Sequence, residues 1–251
     1  MRRALASAGV APADLSGRVL CLDSQGLVLE DRPGLDGYKV GIAADPAVMA
    51  GCRPTRGGSF DLLDVVRHVK PTVLIGASGR PGAFTEEVVR AMVEGCPRPI
   101  ILVLSNPPSK SEAVPEDLLR WTRGSSVVGT GSPFPAVRLD GVTHEIGQAN
   151  NVFAFPGIGL GATVVRARSL PDGVFAAAAR AVHACTGSSS LSGASIYPSI
   201  SRLREVSRTV AVAVGGALVD ANVAPPLTVP EIEDRVAAAM WEPEYLEYRP
   251  G

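Results

Sequence analysis

The chain has 251 residues, of which 46% are hydrophobic, and its formal net charge is −1. This composition predicts a globular fold with a sizeable core. Its interspersed charges offer no long-range attraction to nucleic acid or to an anionic membrane, so we expect neither partner. The four cysteines form no C-x-x-C pair, which argues against a zinc site and a disulfide framework and favours the reducing cytoplasm.

The first residues predict a helix that stops at Gly9 and lack the apolar core of a signal peptide. An apolar strand follows over 18–22 and ends in Asp23. An acidic residue at the tip of an early strand is the arrangement that binds the ribose hydroxyls of an adenine dinucleotide. The alternative, an aspartate that caps the turn before Gly26, is at least as common.

Aliphatic runs and helix-compatible segments alternate along the rest of the chain. The predicted strands are 18–22, 72–75, 100–104, 127–132 and 150–156, and the predicted helices are 60–70, 85–92, 115–120, 160–168, 173–184, 200–220 and 229–240, with a long loop over 30–58. This alternation predicts an α/β fold, a Rossmann-like doubly wound parallel sheet with a helical C-terminal tail. We expect a cofactor-binding domain over residues 1–195 and a helical segment over 196–251.

Asn106 follows the most hydrophobic of these strands. Ligands of open α/β sheets bind beyond the carboxyl ends of the strands, so this amide is a candidate ligand contact. A role as a turn cap before Pro107 is equally compatible with its position, because Asn-Pro is a common turn opener.

The loop after strand 72–75 contains Gly76, Ser78 and Gly79, which are candidates for contact with a cofactor. The run resembles a G-x-S-x-G nucleophile elbow, but its fifth residue is Arg80. A serine hydrolase also needs a histidine, and none of the three in the chain has a suitable context. We therefore interpret the loop as ligand-binding.

Residues 157–162 match the dinucleotide fingerprint G-x-G-x-x-G/A, but they follow the last predicted strand instead of the first. We interpret them as small residues that let a helix pack closely on the sheet. The sequence contains no His, Asp or Glu cluster with the spacing of metal ligands.

Several runs together resemble the cofactor-binding half of malic enzymes. They occur in family order and cover most of the chain: LDSQGLV (22–28), KPTVLIG (70–76), FTEEV (84–88), LSNP (104–107), GTGSPF (129–134), GQANNVFAFPG (147–157), YP (197–198) and REVS (204–207). The resemblance implies oxidative decarboxylation of malate to pyruvate and carbon dioxide with NAD or NADP and Mg²⁺ or Mn²⁺.

Site roles follow from the same resemblance. Asp23 is similar to the ribose-binding acid, whereas Asn106 and Asn151 are similar to the amides that hold the substrate carboxylate and the nicotinamide end of the cofactor, with Asn150 beside them. Ser24 and Lys39 stand where NADP-using members carry a small donor and a cation, so we expect a preference for NADP.

The family's catalytic Tyr and Lys, its metal-binding acids and its first strand with the pyrophosphate loop have no match in this chain. We expect a sheet that lacks its first strand, no catalytic residue in the chain and no activity of the chain alone. A homo-oligomer or a partner chain that supplies the other half is expected. The alternative is a non-catalytic NAD(P)-binding or subunit module that acts with a separately encoded half.

Overall fold

The computed structural model describes residues 1–55, 57–186 and 195–242. The strands are β1 (Leu22–Asp23), β2 (Gly26–Leu27), β3 (Val73–Gly76), β4 (Ile100–Val103), β5 (Val127–Thr130), β6 (Val137–Leu139), β7 (Val142–His144) and β8 (Gly147–Gln148). The α-helices are α1 (Arg2–Ser7), α2 (Pro12–Arg18), α3 (Gly37–Val40), α4 (Leu62–Val69), α5 (Glu86–Gly95), α6 (Pro115–Trp121), α7 (Phe155–Val164), α8 (Gly173–Ala184), α9 (Leu203–Asp220) and α10 (Val229–Ala239). None of these helices is long and apolar enough to cross a membrane.

The chain divides into two compact units, and the main boundary lies between Ala149 and Asn150. The first unit contains all eight strands, whereas the second is helical in its described part. The sequence predicted a domain boundary between residues 195 and 196, which is a different position. Compact units are not the same as domains, so the expected domain boundary stays a prediction.

A four-stranded parallel sheet forms the centre of the first unit, in the order β3-β4-β5-β8. Val73 pairs with Ile100, and Ile100 pairs with Val127, so the three longer strands start and end in register. Helices α4, α5 and α6 contribute to a core in which Val89 and Ile101 are fully buried. The predicted α/β class and Rossmann-like parallel sheet are confirmed.

The strand predicted over 18–22 is wrong. Helix α2 begins with Pro12, a residue favoured in the first helical turn, and extends to Arg18. Only Leu22 and Asp23 form a strand here, and they pair antiparallel with β2 in a small hairpin outside the parallel sheet. The apolar composition of the segment alone could not distinguish a short hairpin from a sheet strand.

The strand predicted over 150–156 is also wrong. The last sheet strand is β8, which pairs with β5, and it lies just before the predicted segment. Residues Asn151–Phe153 form a 3-10 helix that the Asn150 side chain caps, and Pro156 lies in the first turn of α7. A capping asparagine and a proline both favour helix initiation, and these signals override the strand propensity of the aromatic and aliphatic residues.

Local capping signals predicted helix starts more reliably than apolar composition predicted these two strands. Thr85 caps α5 through the main-chain N–H of Val88, and α6 begins at Pro115, both as predicted. Helix α8 has the predicted bounds. The long loop expected over 30–58 contains α3 and a 3-10 helix over Pro46–Met49, which follow no periodic pattern.

Helix α9 forms the centre of the second unit and packs against α7, α8 and α10. The glycines of the fingerprint-like run lie within α7. A Cβ at Gly161 would lie 2.5 Å from the carbonyl oxygen of Ala211, whereas nothing lies within 4 Å of a Cβ at Gly159. The close packing that we predicted is present, but the partner is helix α9 and not the sheet.

This difference predicts opposite effects for two identical substitutions in α7. We expect Gly161→Ala to lower the free energy of unfolding by about 1 to 3 kcal/mol, because the new methyl group overpacks the α7–α9 contact. Gly159→Ala should be neutral or stabilising by up to about 1 kcal/mol, because alanine is the better helix former. Urea denaturation of both variants measures the difference, and equal destabilisation by the two would contradict the packing described above.

Strand β3 lies at the edge of the sheet, and within the described residues it has a partner on one side only. Val73 and Ile75 are 40% and 39% exposed, which is unusual for β-branched residues in a central parallel sheet. An edge strand with unpaired main-chain groups and exposed aliphatic side chains favours association with other chains.

We therefore expect the isolated chain to self-associate through β3. Ile75→Lys should lower the apparent mass in light scattering at a given protein concentration, because a charge on an edge strand opposes pairing with another chain. Val40→Lys is the matched control, since Val40 is 62% exposed but lies outside the sheet. Equal masses for the unchanged chain and the Ile75→Lys variant would contradict a role of the β3 edge.

Candidate functional site

Three serines follow the carboxyl ends of adjacent parallel strands. Ser78, Ser105 and Ser132 each lie two residues beyond the ends of β3, β4 and β5. The common register of these strands places the three hydroxyl-bearing loops at one edge of the sheet. In open α/β folds this edge binds the ligand.

Asn106 lies at this edge and is exposed, whereas its partner Ser132 is 2% exposed. The Ser132 hydroxyl donates a hydrogen bond to Oδ1 of Asn106. The side-chain amide nitrogen of Asn106 has no partner among the described residues and is available as a donor. No described main-chain N–H binds this side chain, so the alternative of a turn cap is not observed.

The loop after β3 is held by a carboxylate that the sequence did not single out. Ser78 donates through its main-chain N–H and its hydroxyl to Oε1 of Glu112, at 2.7 and 2.9 Å. Gly79, which has φ +65°, donates its N–H to Oγ of Ser105 at 2.8 Å. The Ser78 hydroxyl thus donates to a carboxylate, and no described histidine binds it as a nucleophilic serine requires.

Asp23 lies in an ion-pair cluster beside the β1–β2 turn. Its carboxylate accepts two hydrogen bonds from Arg32, at 3.0 and 2.5 Å, and one from Nζ of Lys39, at 2.9 Å. The main-chain N–H of Gln25 donates a fourth, at 2.9 Å. Ser24 is exposed in the turn between the two strands.

The Arg32 guanidinium, together with Lys39 and the N–H of Gln25, holds the pKa of Asp23 well below its usual range. Lys39 also lies 3.4 Å from Asp36, and the bond to Asp23 raises the pKa of the Lys39 ammonium. Four donors fill the acceptor sites of a carboxylate, so a ribose hydroxyl must replace one of them to bind Asp23. The sequence analysis missed Arg32, because no spacing rule connects it to Asp23.

The two remaining candidate asparagines belong to the second compact unit. Oδ1 of Asn150 accepts from the main-chain N–H of Val152 at 3.0 Å, which is a capping contact. Asn151 is exposed, and its side chain has no hydrogen-bond partner among the described residues. Their expected contacts with substrate and cofactor remain predictions.

No group of three or more His, Cys, Asp or Glu side chains in the described part of the chain could hold a metal ion. These residues therefore do not fit a magnesium or manganese site. The donor set at the carboxyl edge of the sheet does fit a dinucleotide, because it presents an unpaired amide nitrogen and small residues. At Gly76 a Cβ would lie 2.7 Å from Glu112, so any larger residue would disturb the edge.

Comparison with known proteins gives a consistent result. The family model described as "Malic enzyme, NAD binding domain" matches residues 1–219. The chain is 40% identical over 98% of its length to the NAD-dependent malic enzyme of Shewanella frigidimarina and 43% identical over 99% of its length to NAD-dependent malic enzyme 3 of Bacillus subtilis. It spans 43% and 44% of these two relatives.

Solved structures show the same fold. The chain superimposes on the malic enzyme of Entamoeba histolytica with a TM-score of 0.69 at 24% identity, over 94% of this chain and 44% of that one. For the malic enzyme of Pyrococcus horikoshii the TM-score is 0.66 at 23% identity, over 94% of this chain and 49% of that one.

The Asp23 cluster predicts a pH-dependent contribution to stability. Because the folded-state pKa is lowered, the stabilisation is present above the unfolded pKa of about 4 and is lost as the pH falls through the folded value. We expect Asp23→Asn to lower the free energy of unfolding by about 1 to 3 kcal/mol at pH 7, since it removes the counter-charge of the partly buried Arg32 and leaves Lys39 only the exposed Asp36.

Urea denaturation at pH 7, 5 and 3 measures this effect. The difference between Asp23→Asn and the unchanged chain should persist at pH 5 and shrink at pH 3. Asp36→Asn is the control: Asp36 is 59% exposed, and an exposed ion pair contributes little. A difference of the same size at all three pH values would contradict the assignment to the Asp23 charge.

Proposed function

Because this chain belongs to the malic enzyme family, as its NAD-binding domain, we propose that it serves an enzyme that oxidises malate with NAD and releases pyruvate and carbon dioxide. The observation that carries this proposal is Asn106, whose amide nitrogen is unpaired at the carboxyl edge of the parallel sheet. Malate, pyruvate and NAD are the proposed ligands.

The amide of Asn106 suits a substrate that carries a carboxylate. With Oδ1 bound to the Ser132 hydroxyl, the amide group is fixed and its N–H bonds can donate to a substrate oxygen. A neutral donor binds that oxygen without adding a fixed charge to a site where charge redistributes during the reaction. Asn106 would orient the substrate, and NAD, when bound, would supply the acceptor for its hydride.

We propose NAD and not NADP as the cofactor, in contrast to the preference expected from Ser24 and Lys39. The ammonium of Lys39 is bound by Asp23 and Asp36, and Arg32 is bound by Asp23. A 2′-phosphate therefore has no unpaired cation in this cluster and meets the negative charge of Asp23. The two curated relatives described above are also named as NAD-dependent.

The acid, the base and the Mg²⁺ or Mn²⁺ ligands of the reaction come, in this proposal, from residues outside the described part of the chain. A covalently linked segment or a separate partner chain, within a homo-oligomeric assembly, could supply them equally well. The cytoplasm is the proposed compartment, on the cysteine usage described above. The alternative function is a non-catalytic NAD-binding or subunit module, in which the unpaired amide nitrogen of Asn106 at the carboxyl edge of the sheet would bind the cofactor alone.

The test is a completed enzyme, in which this chain is joined to the part of the Bacillus subtilis relative that it does not span. We expect malate-dependent formation of NADH from the completed enzyme with Mg²⁺ or Mn²⁺ and none from the chain alone. Asn106→Ala should reduce kcat/KM for malate by an amount equivalent to about 1 to 3 kcal/mol, because a substrate oxygen loses its donor, with a smaller change in KM for NAD.

Ser109→Ala is the matched control, since Ser109 is an exposed polar residue in the 3-10 helix Pro108–Lys110 that follows Asn106. The role expected for Asn151 is a separate proposal, which the same measurement on Asn151→Ala tests. A completed enzyme that binds NADH but never oxidises malate would favour the non-catalytic module. Normal malate kinetics in the Asn106→Ala variant would remove Asn106 from the substrate site.

A further inference from the structure

Glu112 is a fully buried acidic residue that the proposed reaction does not use directly. One oxygen, Oε1, accepts three hydrogen bonds: two from Ser78 and one from the Ser105 hydroxyl at 2.5 Å. The other oxygen, Oε2, is buried and has no partner among the described residues. A single atom thus connects the loops that follow β3 and β4.

The carboxylate is held in its charged form. Burial raises the pKa of Glu112, but the hydrogen bonds from Ser105 and Ser78 outweigh this effect, and the pKa lies below its usual value. A buried charge with one unpaired oxygen is costly, and apolar residues of similar volume often fill such a position at least as stably. Stability of the core alone therefore does not account for a glutamate here.

The surroundings of Glu112 are shaped around it. Gly76 has no side chain where the Glu112 side chain passes, since a Cβ there would lie 2.7 Å from Cγ and Cδ. The main-chain oxygen of Glu112 accepts from the N–H of Phe84, just before helix α5. Ser105, the residue next to Asn106, accepts from the N–H of Gly79 while it donates to Glu112.

We propose that Glu112 is a positioning residue for the nicotinamide end of the cofactor. Its charge orients Ser78, Gly79 and Ser105, and through Ser105 it fixes the main chain that presents Asn106. This inference rests on the proposed function and on the roles that the family resemblance implies, with Asp23 at the adenine ribose and Asn106 where the substrate meets the nicotinamide end of the cofactor. It implies that a substitution of Glu112 weakens binding of the nicotinamide end of the dinucleotide and leaves binding of the adenine end unchanged.

Binding measurements on the completed enzyme test this asymmetry. In Glu112→Gln the shape is retained, but the charge is lost and a buried amide hydrogen has no acceptor. The Kd for NADH can be measured from the fluorescence of NADH. We expect it to rise about tenfold or more, because the variant loses hydrogen bonds to a charged group. The Kd for ADP-ribose, which lacks the nicotinamide, should change less than about twofold, an effect below about 0.5 kcal/mol.

Glu116→Gln is the matched control, because Glu116 lies four residues away, is 65% exposed and binds only Arg120 among the described residues. It should leave both Kd values unchanged. If Glu112→Gln does not fold, Ser105→Ala tests the same role, because it removes one donor to Glu112. We expect a smaller loss of NADH affinity, again without a comparable loss of ADP-ribose affinity.

Three outcomes would overturn the inference or its premise. Unchanged NADH affinity in a folded Glu112→Gln variant, or in Ser105→Ala, contradicts a positioning role. An equal loss of NADH and ADP-ribose affinity shows a general structural role instead. Absence of NADH binding by the unchanged completed enzyme refutes the proposed function itself, which is thereby distinguished from failure of the Glu112 role.

Discussion

The common direction and register of the parallel strands is the constraint on which the candidate site depends. Because β3, β4 and β5 start in register and have equal lengths, their following loops emerge at one edge of the sheet. A polar residue at the same offset from each strand then reaches the same region, and the three serines do so. The strand topology therefore determines which residues lie at this edge, and the identities of their side chains then determine what they can bind.

The sequence revealed those parts of the structure that local rules determine. The aliphatic runs of β3, β4 and β5, the Thr85 cap and the Pro115 helix start each carry a signal within a few residues. The two wrong strands show where composition misleads. At 18–22 helix α2 extends to Arg18, and Leu22 is the only residue of the segment that forms a strand. At 150–156 a capping asparagine and Pro156 favour helix initiation in an apolar run.

The candidate site was predictable at single positions but not as a network. Asn106 could be chosen because it follows the apolar run that forms β4, and the carboxyl end of a parallel strand has a known place in the fold. Asp23 was chosen at the end of a predicted strand that is wrong, and it lies in a hairpin outside the parallel sheet. The ligand roles of both residues remain predictions. Arg32 and Glu112 lie on segments that reach these residues only after the chain has folded. No periodicity or spacing connects Glu112 with Ser78, which are 34 positions apart in the chain. Buried polar partners of this kind require the tertiary structure.

The close approach of Glu112 to Gly76 has a consequence for how this family can vary. An alanine at Gly76 collides with the glutamate, yet the same alanine would find room once Glu112 had been replaced by a shorter residue. The two positions are therefore epistatic: the effect of the first substitution depends on whether the second has already occurred. Of the two stepwise orders of substitution, the one in which the acid shortens before the glycine gains a side chain avoids the collision.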